Sequence, residues 1–360
     1  MAASKIPVSI IGATGMVGQR FVQLMANHPW FEIQCVAASK RSASKTYIEA
    51  VFDRWAPKTP VPENVAKLQV MEVEKDIKTY ASQTSCVFSA LSMDKEQVRQ
   101  LEIKLAQKGM AVISANSAHR WTEDVPMMIP EVNPHHTALI DIQRKNRNWK
   151  GFITVKPNCS IQSYVPVLEA LKEFEPKKVI VTMCQAISGA GKTFESWPEM
   201  KDNVIPHIPG EEKKSEDEPL KIWGTIANGK LILAKTPLTS ATCIRVPVTD
   251  GHMASVHSTF KRKPSRQEFI NAVNQYKNPI ADLNLPSAPN PFMIYLEEDN
   301  RPQTALDRDW QNGMGITVGK LRDDTIFDWK WVALSHNTLR GAAGGALLTA
   351  ELLVKKGYIE

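Results

Sequence analysis

Cys159 stands in the run Thr154-Val155-Lys156-Pro157-Asn158-Cys159-Ser160, where an extended segment gives way to a helical pattern. Proline biases the residue before it away from helix, so Lys156 reads as extended, while Val165, Leu168 and Leu171 recur at helical spacing. The thiol is therefore expected at a helix N-terminus. Unpaired N–H groups and the positive end of the dipole favour a thiolate there, and the thiolate is the nucleophile. A free cysteine is otherwise a small buried hydrophobe. A second pair of reactive types lies in Cys243-Ile244-Arg245-Val246-Pro247-Val248-Thr249-Asp250-Gly251-His252. Arg245 falls on a predicted strand and His252 follows a Thr-Asp-Gly turn, so both can reach one cleft. An arginine clamps a carboxylate through two parallel hydrogen bonds, and a histidine titrates where an acid/base catalyst operates. Taken singly, a surface ion pair and a loop histidine are the plainer readings.

Gly12-x-x-Gly15-x-x-Gly18 lies between the apolar run Val8 to Ile11 and a helical pattern reaching about Asn27. That is the context in which glycines bring the backbone close to a pyrophosphate at a helix N-terminus. After the next predicted strand, Phe31 to Ala38, the sequence Ser39-Lys40-Arg41-Ser42 is basic and hydroxylic where a ribose-binding carboxylate would stand. These groups suit a 2′-phosphate, which predicts NADP as the cofactor rather than NAD. Ala186 to Thr193 nearly spells a phosphate-binding P-loop, which makes a nucleotide triphosphatase the rival from a different class. Pro198 follows too soon for the helix such a loop requires, and no apolar strand ending in a magnesium-binding aspartate stands out downstream. His135-His136 lacks partners at metal spacing and reads as surface; no metal site is predicted. No Gly-x-Ser-x-Gly elbow supports a serine hydrolase.

These groups need a scaffold. Short apolar runs at Val8 to Ile11, Phe31 to Ala38, Ser85 to Leu91 and Met110 to Ser114 alternate with helical patterns such as Asp94 to Lys108, the pattern of a parallel sheet with helices on its faces. From about Cys159 the strand-like stretches are Lys178 to Gln185, Leu231 to Ala234, Thr242 to Val248, His252 to Arg262 and Ile316 to Leu321. The expected class is α/β: a Rossmann-type dinucleotide-binding domain over residues 1–157, then a mixed α+β domain over 158–336. Asn203 to Pro219, rich in proline and charge, is expected to be a surface excursion. A last helix, 337–360, contains Gly341-Ala342-Ala343-Gly344-Gly345; it is read as packing back on the first domain, either beside a ligand or through tight helix packing alone.

A chain of 360 residues is too long for one ordinary core, so two domains are the default. With 43% hydrophobic and 23% charged residues the composition is that of a soluble globular protein. The apolar run at the start ends at Gly12, too short for a signal-peptide core, and no stretch approaches bilayer length, so a cytoplasmic protein without membrane partners is expected. Five widely spaced cysteines without a Cys-x-x-Cys pair argue against disulfides and zinc. The net charge of +6 is modest, and Lys261-Arg262-Lys263 lacks interleaved aromatics, which excludes nucleic acid as a partner but leaves small anions.

The order and spacing of several blocks, covering nearly the whole chain, resemble the archaeal and fungal branch of the aspartate-semialdehyde dehydrogenases: GATGMVGQRF at 12–21, ASKRSASK at 38–45, SANSAHRW at 114–121, PNCS at 157–160, QAISGAGK at 185–192, IPGEEKK at 208–214, RVPVTDGH at 245–252 and HNTLRGAAGGAL at 336–347. The resemblance implies that Cys159 is the nucleophile, His252 an acid/base catalyst with a pKa suited to neutral pH, and Gln185 the residue that orients the reacting carbonyl. It assigns Arg245 and Glu211 to the amino-acid end of the substrate, and Arg120, Asn158 and Lys214 to the acyl or phosphate end; Glu212 with Lys213 is the alternative register. Ser39, Arg41 and Ser42 would take the 2′-phosphate. Gly12, Thr14, Gly15, Met16, Val17, Leu91 and Asn337 would make further cofactor contacts, and Ser188, Gly189 and Gly191 would form a loop near the nicotinamide. The implied reaction reduces L-aspartyl 4-phosphate through a cysteine thioester, releasing phosphate, on the route to threonine and methionine. A homodimer or homotetramer built through the second domain is implied as well. Lys156 stands where asparagine is common and Ser44 where glycine is. On the same scaffold a malonyl-coenzyme A reductase or an N-acetylglutamyl-phosphate reductase remains open; a nonenzymatic dinucleotide sensor needs neither the thiol nor Gln185 and His252.

Overall fold

The computed structural model describes residues 4–360. Six parallel strands form the first sheet: β1 (Ile6–Ile11), β2 (Phe31–Ala38), β3 (Val70–Glu72), β4 (Cys86–Ser89), β5 (Ala111–Ser114) and β6 (Phe152–Val155), in the order β3-β2-β1-β4-β5-β6. Strands β4, β5 and β6 are buried at every residue, because helices cover both faces of a parallel sheet. Strand order reverses between β1 and β4, which opens a crevice at their carboxyl ends. The turn after β1 leads there into the helix Met16–Met25.

The second sheet contains β7 (Pro176–Gln185), β10 (Leu238–Arg245), β11 (His252–Phe260), β12 (Met293–Leu296), β13 (Ile316–Asp323) and β14 (Trp329–Ser335), with a separate hairpin of β8 (Thr225–Ala227) and β9 (Lys230–Ile232). Its order is β10-β7-β11-β14-β13-β12, parallel at both outer pairs and antiparallel between. Burial alternates strictly along β11, the mark of a sheet with one packed face. Val181, Met183, Ala254, Val256 and Ala333 join the core with Phe269 and Val273 of the helix Arg266–Asn274. On the outer face Ile180 is exposed and Cys184, Met253 and Val332 are only partly covered.

The last helix opens with a π turn, Leu339–Ala343, and continues as Gly344–Lys355. Its Ala346, Leu347, Ala350 and Leu353 pack with Phe31 and Phe88 of the first sheet and with Phe21 of the helix Met16–Met25. Residues from both sheets therefore close one cleft, with this helix crossing its floor.

Two readings are corrected. The segment Asn203 to Pro219 is not all surface excursion, because Glu211–Ile222 is a helix whose Glu211, Ser215, Glu218 and Ile222 are buried. Pro219 cannot donate to the Ser215 carbonyl, and the Tyr164 hydroxyl donates to it instead at 2.6 Å. His136 is not surface either. It is fully buried, contacting Asn133 Nδ2 at 3.0 Å and the Gly224 carbonyl at 2.9 Å through its two ring nitrogens. His135 alone is exposed. No helix among the described residues is long and apolar enough to cross a membrane, and no group of three or more His, Cys, Asp or Glu side chains is set to hold a metal ion.

Candidate active site

Four chain segments converge on Cys159. Gln185 ends β7 and Arg245 ends β10, and the parallel register pairs the two directly. His252 begins β11, which runs back along β7 from the Met253–Cys184 pair. Cys159 follows β6 of the first sheet and lies against the π turn. A Cβ on residue 341 would stand 2.7 Å from Cys159 Cβ, so glycine at that position is what lets the nucleophile segment and the last helix meet. His252 Nε2 is 3.4 Å from Cys159 Sγ, while Ala186 N–H donates to Nδ1 at 3.2 Å. This network puts the proton of the neutral ring on Nε2, facing the sulfur. Cys159, Gln185, Arg120, Asn158, Glu211 and Arg245 line a cleft of about 480 Å³; His252 sits behind the sulfur, fully buried.

The helix Glu211–Ile222 supplies the acidic side of the cleft. Glu211 accepts from Asn158 Nδ2 at 3.1 Å, Gln185 Nε2 at 3.2 Å and Lys214 Nζ at 2.7 Å. Glu212 instead turns to the Cys243 N–H, and Lys213 pairs with Asp217 on the outer face. The structure thus brings Glu211 to the cleft with Lys214 bonded to it, and turns Glu212 and Lys213 to other partners. Arg120 donates to the Lys156 carbonyl and to Glu218, whose second oxygen accepts from Asn158 N–H at 2.6 Å. Glu218 holds two candidate substrate residues at once and was not singled out from sequence. Its spacing from Glu211, through Ser215, is helical, but the buried stripe is polar, so no hydrophobic period announces it. Trp197 and His207, also unpredicted, line the cleft mouth.

Two ionisation expectations are corrected. Cys159 does not begin an α-helix; it precedes a single 3₁₀ turn, Ser160–Gln162, and the short helix Val165–Ala170 starts only after Tyr164. Such a turn has little dipole to offer. Burial, and then the Glu211 carboxylate, pushes the thiol up to about 11, against the pull of Lys156, Arg120 and Arg245. His252 is not poised at neutrality: burial, and then the Arg245 charge, holds it down at about 3, so the imidazole is neutral in the working range. Burial acts to raise the Glu211 carboxyl as well, but Lys214, Gln185 and Asn158 outweigh it and keep it below its ordinary value.

The candidate cofactor residues form a track from this cleft onto the first sheet. Gly12, at φ +76°, packs where a side chain would meet the Ala90 carbonyl at 2.3 Å, next to Leu91, and a Cβ on residue 18 would meet the Gly12 carbonyl at 2.2 Å. These two glycines close the turn on itself. Gly15 is the exposed one, at the N-cap of the helix Met16–Met25, with Thr14 before it and Met16 and Val17 after it. Val17 also lines the reaction cleft, with Ser188, Gly189 and Asn337. Asn337 donates to Ser188 Oγ at 2.8 Å and accepts from Gly251 N–H at 2.8 Å, which ties that loop to the turn before His252. Ser39, Arg41 and Ser42 lie apart, in the turns after β2. There Ser42 Oγ is buried without a hydrogen-bond partner, and Ser44 holds the positive φ, +66°, that glycine adopts most readily. An orphaned hydroxyl beside exposed Ser39 and Arg41, and a bare helix N-cap, fit a dinucleotide bearing a 2′-phosphate. The P-loop look-alike does not enter a helix: Ile187–Ala190 is one 3₁₀ turn, folded so closely over Arg245 and His252 that a Cβ on residue 189 would lie 2.9 and 3.2 Å from them.

A Rossmann-type sheet, a mixed sheet and a cysteine–histidine pair between them define a two-domain dinucleotide-binding protein with a thiol at its reaction cleft. Residues 7–140 match the family model for the NAD binding domain of semialdehyde dehydrogenase, and residues 168–340 match that for its dimerisation domain. Among curated relatives, the aspartate-semialdehyde dehydrogenase of Archaeoglobus fulgidus is 44% identical, over 98% of this chain and 99% of that one. The malonyl CoA reductase (NADP) of Metallosphaera sedula is 36% identical, over 99% and 98%. The crystal structure of aspartate semialdehyde dehydrogenase with NADP from Candida albicans superposes with a TM-score of 0.87 at 35% identity, covering 99% of this chain and 100% of that one. The chain belongs to the aspartate-semialdehyde dehydrogenase family.

Proposed function

We propose that this chain is an NADP-dependent, phosphorylating aspartate-semialdehyde dehydrogenase that converts L-aspartyl 4-phosphate to L-aspartate 4-semialdehyde. The observation that carries this reading is the contact of Cys159 Sγ with buried His252 Nε2 at 3.4 Å, in a cleft that also presents Arg245 and Glu211. The sulfur adds to the acyl carbon, the bond to the phosphate oxygen breaks, and the acyl group remains on Cys159 as a thioester. Gly15, Ser42 and the Ser188-Gly189 loop would hold NADPH, which would supply the hydride chemistry that reduces this acyl group. Gln185, at the end of β7, orients the carbonyl, and His252 Nε2–H holds a proton beside the sulfur and the reacting oxygen. Arg120, Asn158 and Lys214 face the phosphate end. On collapse the C–S bond breaks, and the aldehyde leaves with the sulfur restored.

Arg245 is set for the substrate carboxylate. Its guanidinium donates to the Ala186 carbonyl, and among the described residues it forms no ion pair. Arg245→Leu is therefore expected to raise KM for aspartate semialdehyde by about tenfold or more, the loss of a charge-assisted pair, with NADP affinity unchanged. Equal KM in steady-state assays of both proteins refutes the assignment. Glu211 suits the substrate ammonium, and this separates the reading from the malonyl-coenzyme A alternative, whose substrate has a carboxylate but no amine. Parallel assays of aspartate semialdehyde with phosphate and NADP, and of malonyl-coenzyme A with NADPH, decide between them. Turnover of the second pair alone overturns the proposal.

Assembly as a homodimer or a pair of dimers uses the outer face of the second sheet, where Ile180 is exposed and Cys184, Met253 and Val332 are half-covered. All five cysteines are free, in keeping with a cytoplasmic protein.

A further inference from the structure

Lys156 is a buried amine that none of the steps above uses. Its side chain is 3% exposed, and the hydrogen bond of Nζ goes to the neighbouring Pro157 carbonyl at 3.5 Å. A Cβ on residue 345 would lie 2.5 Å from Lys156 Cε, just as one on residue 341 would lie 2.7 Å from Cys159 Cβ. Positions 341 and 345 are one turn apart on the same helix face, so Lys156 Cε and Cys159 Cβ rest on one glycine-lined stripe. Of the four other cations around the amine and the sulfur, three already have an anion. Arg340 is closed by Glu131, Arg120 by Glu218 and Lys214 by Glu211, while Arg245 awaits the substrate carboxylate. His252 is neutral and presents Nε2–H to the sulfur, so in this tautomer it cannot take the thiol proton.

We propose that Lys156 is a positioning residue for the nucleophile: its Nζ is the counter-charge that appears with the Cys159 thiolate and holds it in the buried site. In the ionisation an S–H bond is broken and an N–H bond is made, so thiol and amine become thiolate and ammonium with no net charge added to the interior. The directions of the two groups agree. Burial pushes the thiol up to about 11, and burial, then Arg340, holds the amine well below its ordinary value. Burial dominates both, and each group acts against it in the other: Lys156 draws the thiol down and Cys159 draws the amine up.

The proposal rests on Cys159 being the nucleophile, and its test needs no substrate, so the two can fail separately. The rate of Cys159 alkylation by iodoacetamide is measured against pH in wild type, Lys156→Met and Lys156→Gln, with the alkylated site mapped by mass spectrometry and NADP binding checked in each protein. The wild-type midpoint is expected below the value of about 11 to which burial pushes the thiol. Each variant is expected to move it up by about one pH unit or more, which at pH 7 is about a tenfold slower alkylation. A wild-type midpoint at or above about 11, or an unmoved midpoint in a variant that binds NADP, overturns the proposal. If neither variant binds NADP, the wild-type midpoint alone decides.

Discussion

Cys159→Ser is expected to lower turnover by about four orders of magnitude or more while NADP binding stays within about twofold of wild type. A serine hydroxyl fits the space, because oxygen is smaller than sulfur and the tight contact is made by Cys159 Cβ against Gly341. What it lacks is ionisation. A hydroxyl is far less acidic than a thiol and needs an adjacent base, and the ring nitrogen that meets position 159 among the described residues is His252 Nε2, which carries the proton. The candidate cofactor contacts at Gly15, Ser39, Arg41 and Ser42 lie on the first sheet, away from the sulfur, so affinity for the dinucleotide has no reason to change. Turnover and a fluorescence titration with NADPH read the two effects on one preparation. Activity within tenfold of wild type removes the covalent mechanism.

Four strands of the first sheet, β1, β2, β4 and β5, were legible as apolar runs, whereas β3, three residues of which two are only partly buried, offers no such run. The glycine turn was legible as well, since Gly12 must take a positive φ against the Ala90 backbone. Of the second sheet, β7, β10, β11 and β13 were legible but β12 and β14 were not, the run at Leu231 to Ala234 fell on the separate hairpin, and the order, which makes the site, was not readable either. Arg245 and His252 lie close together in the chain but far from Gln185 and Cys159, and the parallel pairing of β10 with β7 and the antiparallel pairing of β11 bring them together. No local signal encodes that register, so the residues were assignable through whole-chain resemblance rather than spacing. The helix Glu211–Ile222 escaped for another reason. Its buried stripe is Glu211, Ser215 and Glu218, polar where a periodicity argument expects apolar residues, and Pro219 mimics a loop. Ionisation was the least legible property. Residue type sets a reference pKa, whereas burial at the end of β11 and the Arg245 charge set the actual state of His252.

That state gives the second large effect. His252→Asn is expected to lower kcat by about a hundredfold or more, because no group at that place can then hold a proton on both the sulfur and the reacting oxygen with imidazole geometry. The wild-type pH dependence should differ from that of an ordinary catalytic histidine. With the imidazole held down at about 3, it stays neutral at every pH where the enzyme works, so no acid limb near 6.5 in kcat/KM comes from this ring. Stability shows the complement. The unfolded ring titrates near 6.5 and the folded one near 3, so between those values the unfolded state binds more protons. The stability gained from burying a neutral ring is complete above about pH 6.5 and declines by roughly 1.4 kcal/mol per pH unit as the pH falls toward 3. In His252→Asn that contribution to acid sensitivity disappears, so the urea midpoint of the variant should fall less steeply than that of wild type between pH 6.5 and 4.5. A wild-type acid limb near 6.5 that vanishes in the variant, together with parallel urea profiles, would mean that the ring titrates in its ordinary range. The sealed contact of His252 with Cys159 would then not be the arrangement that catalyses the reaction.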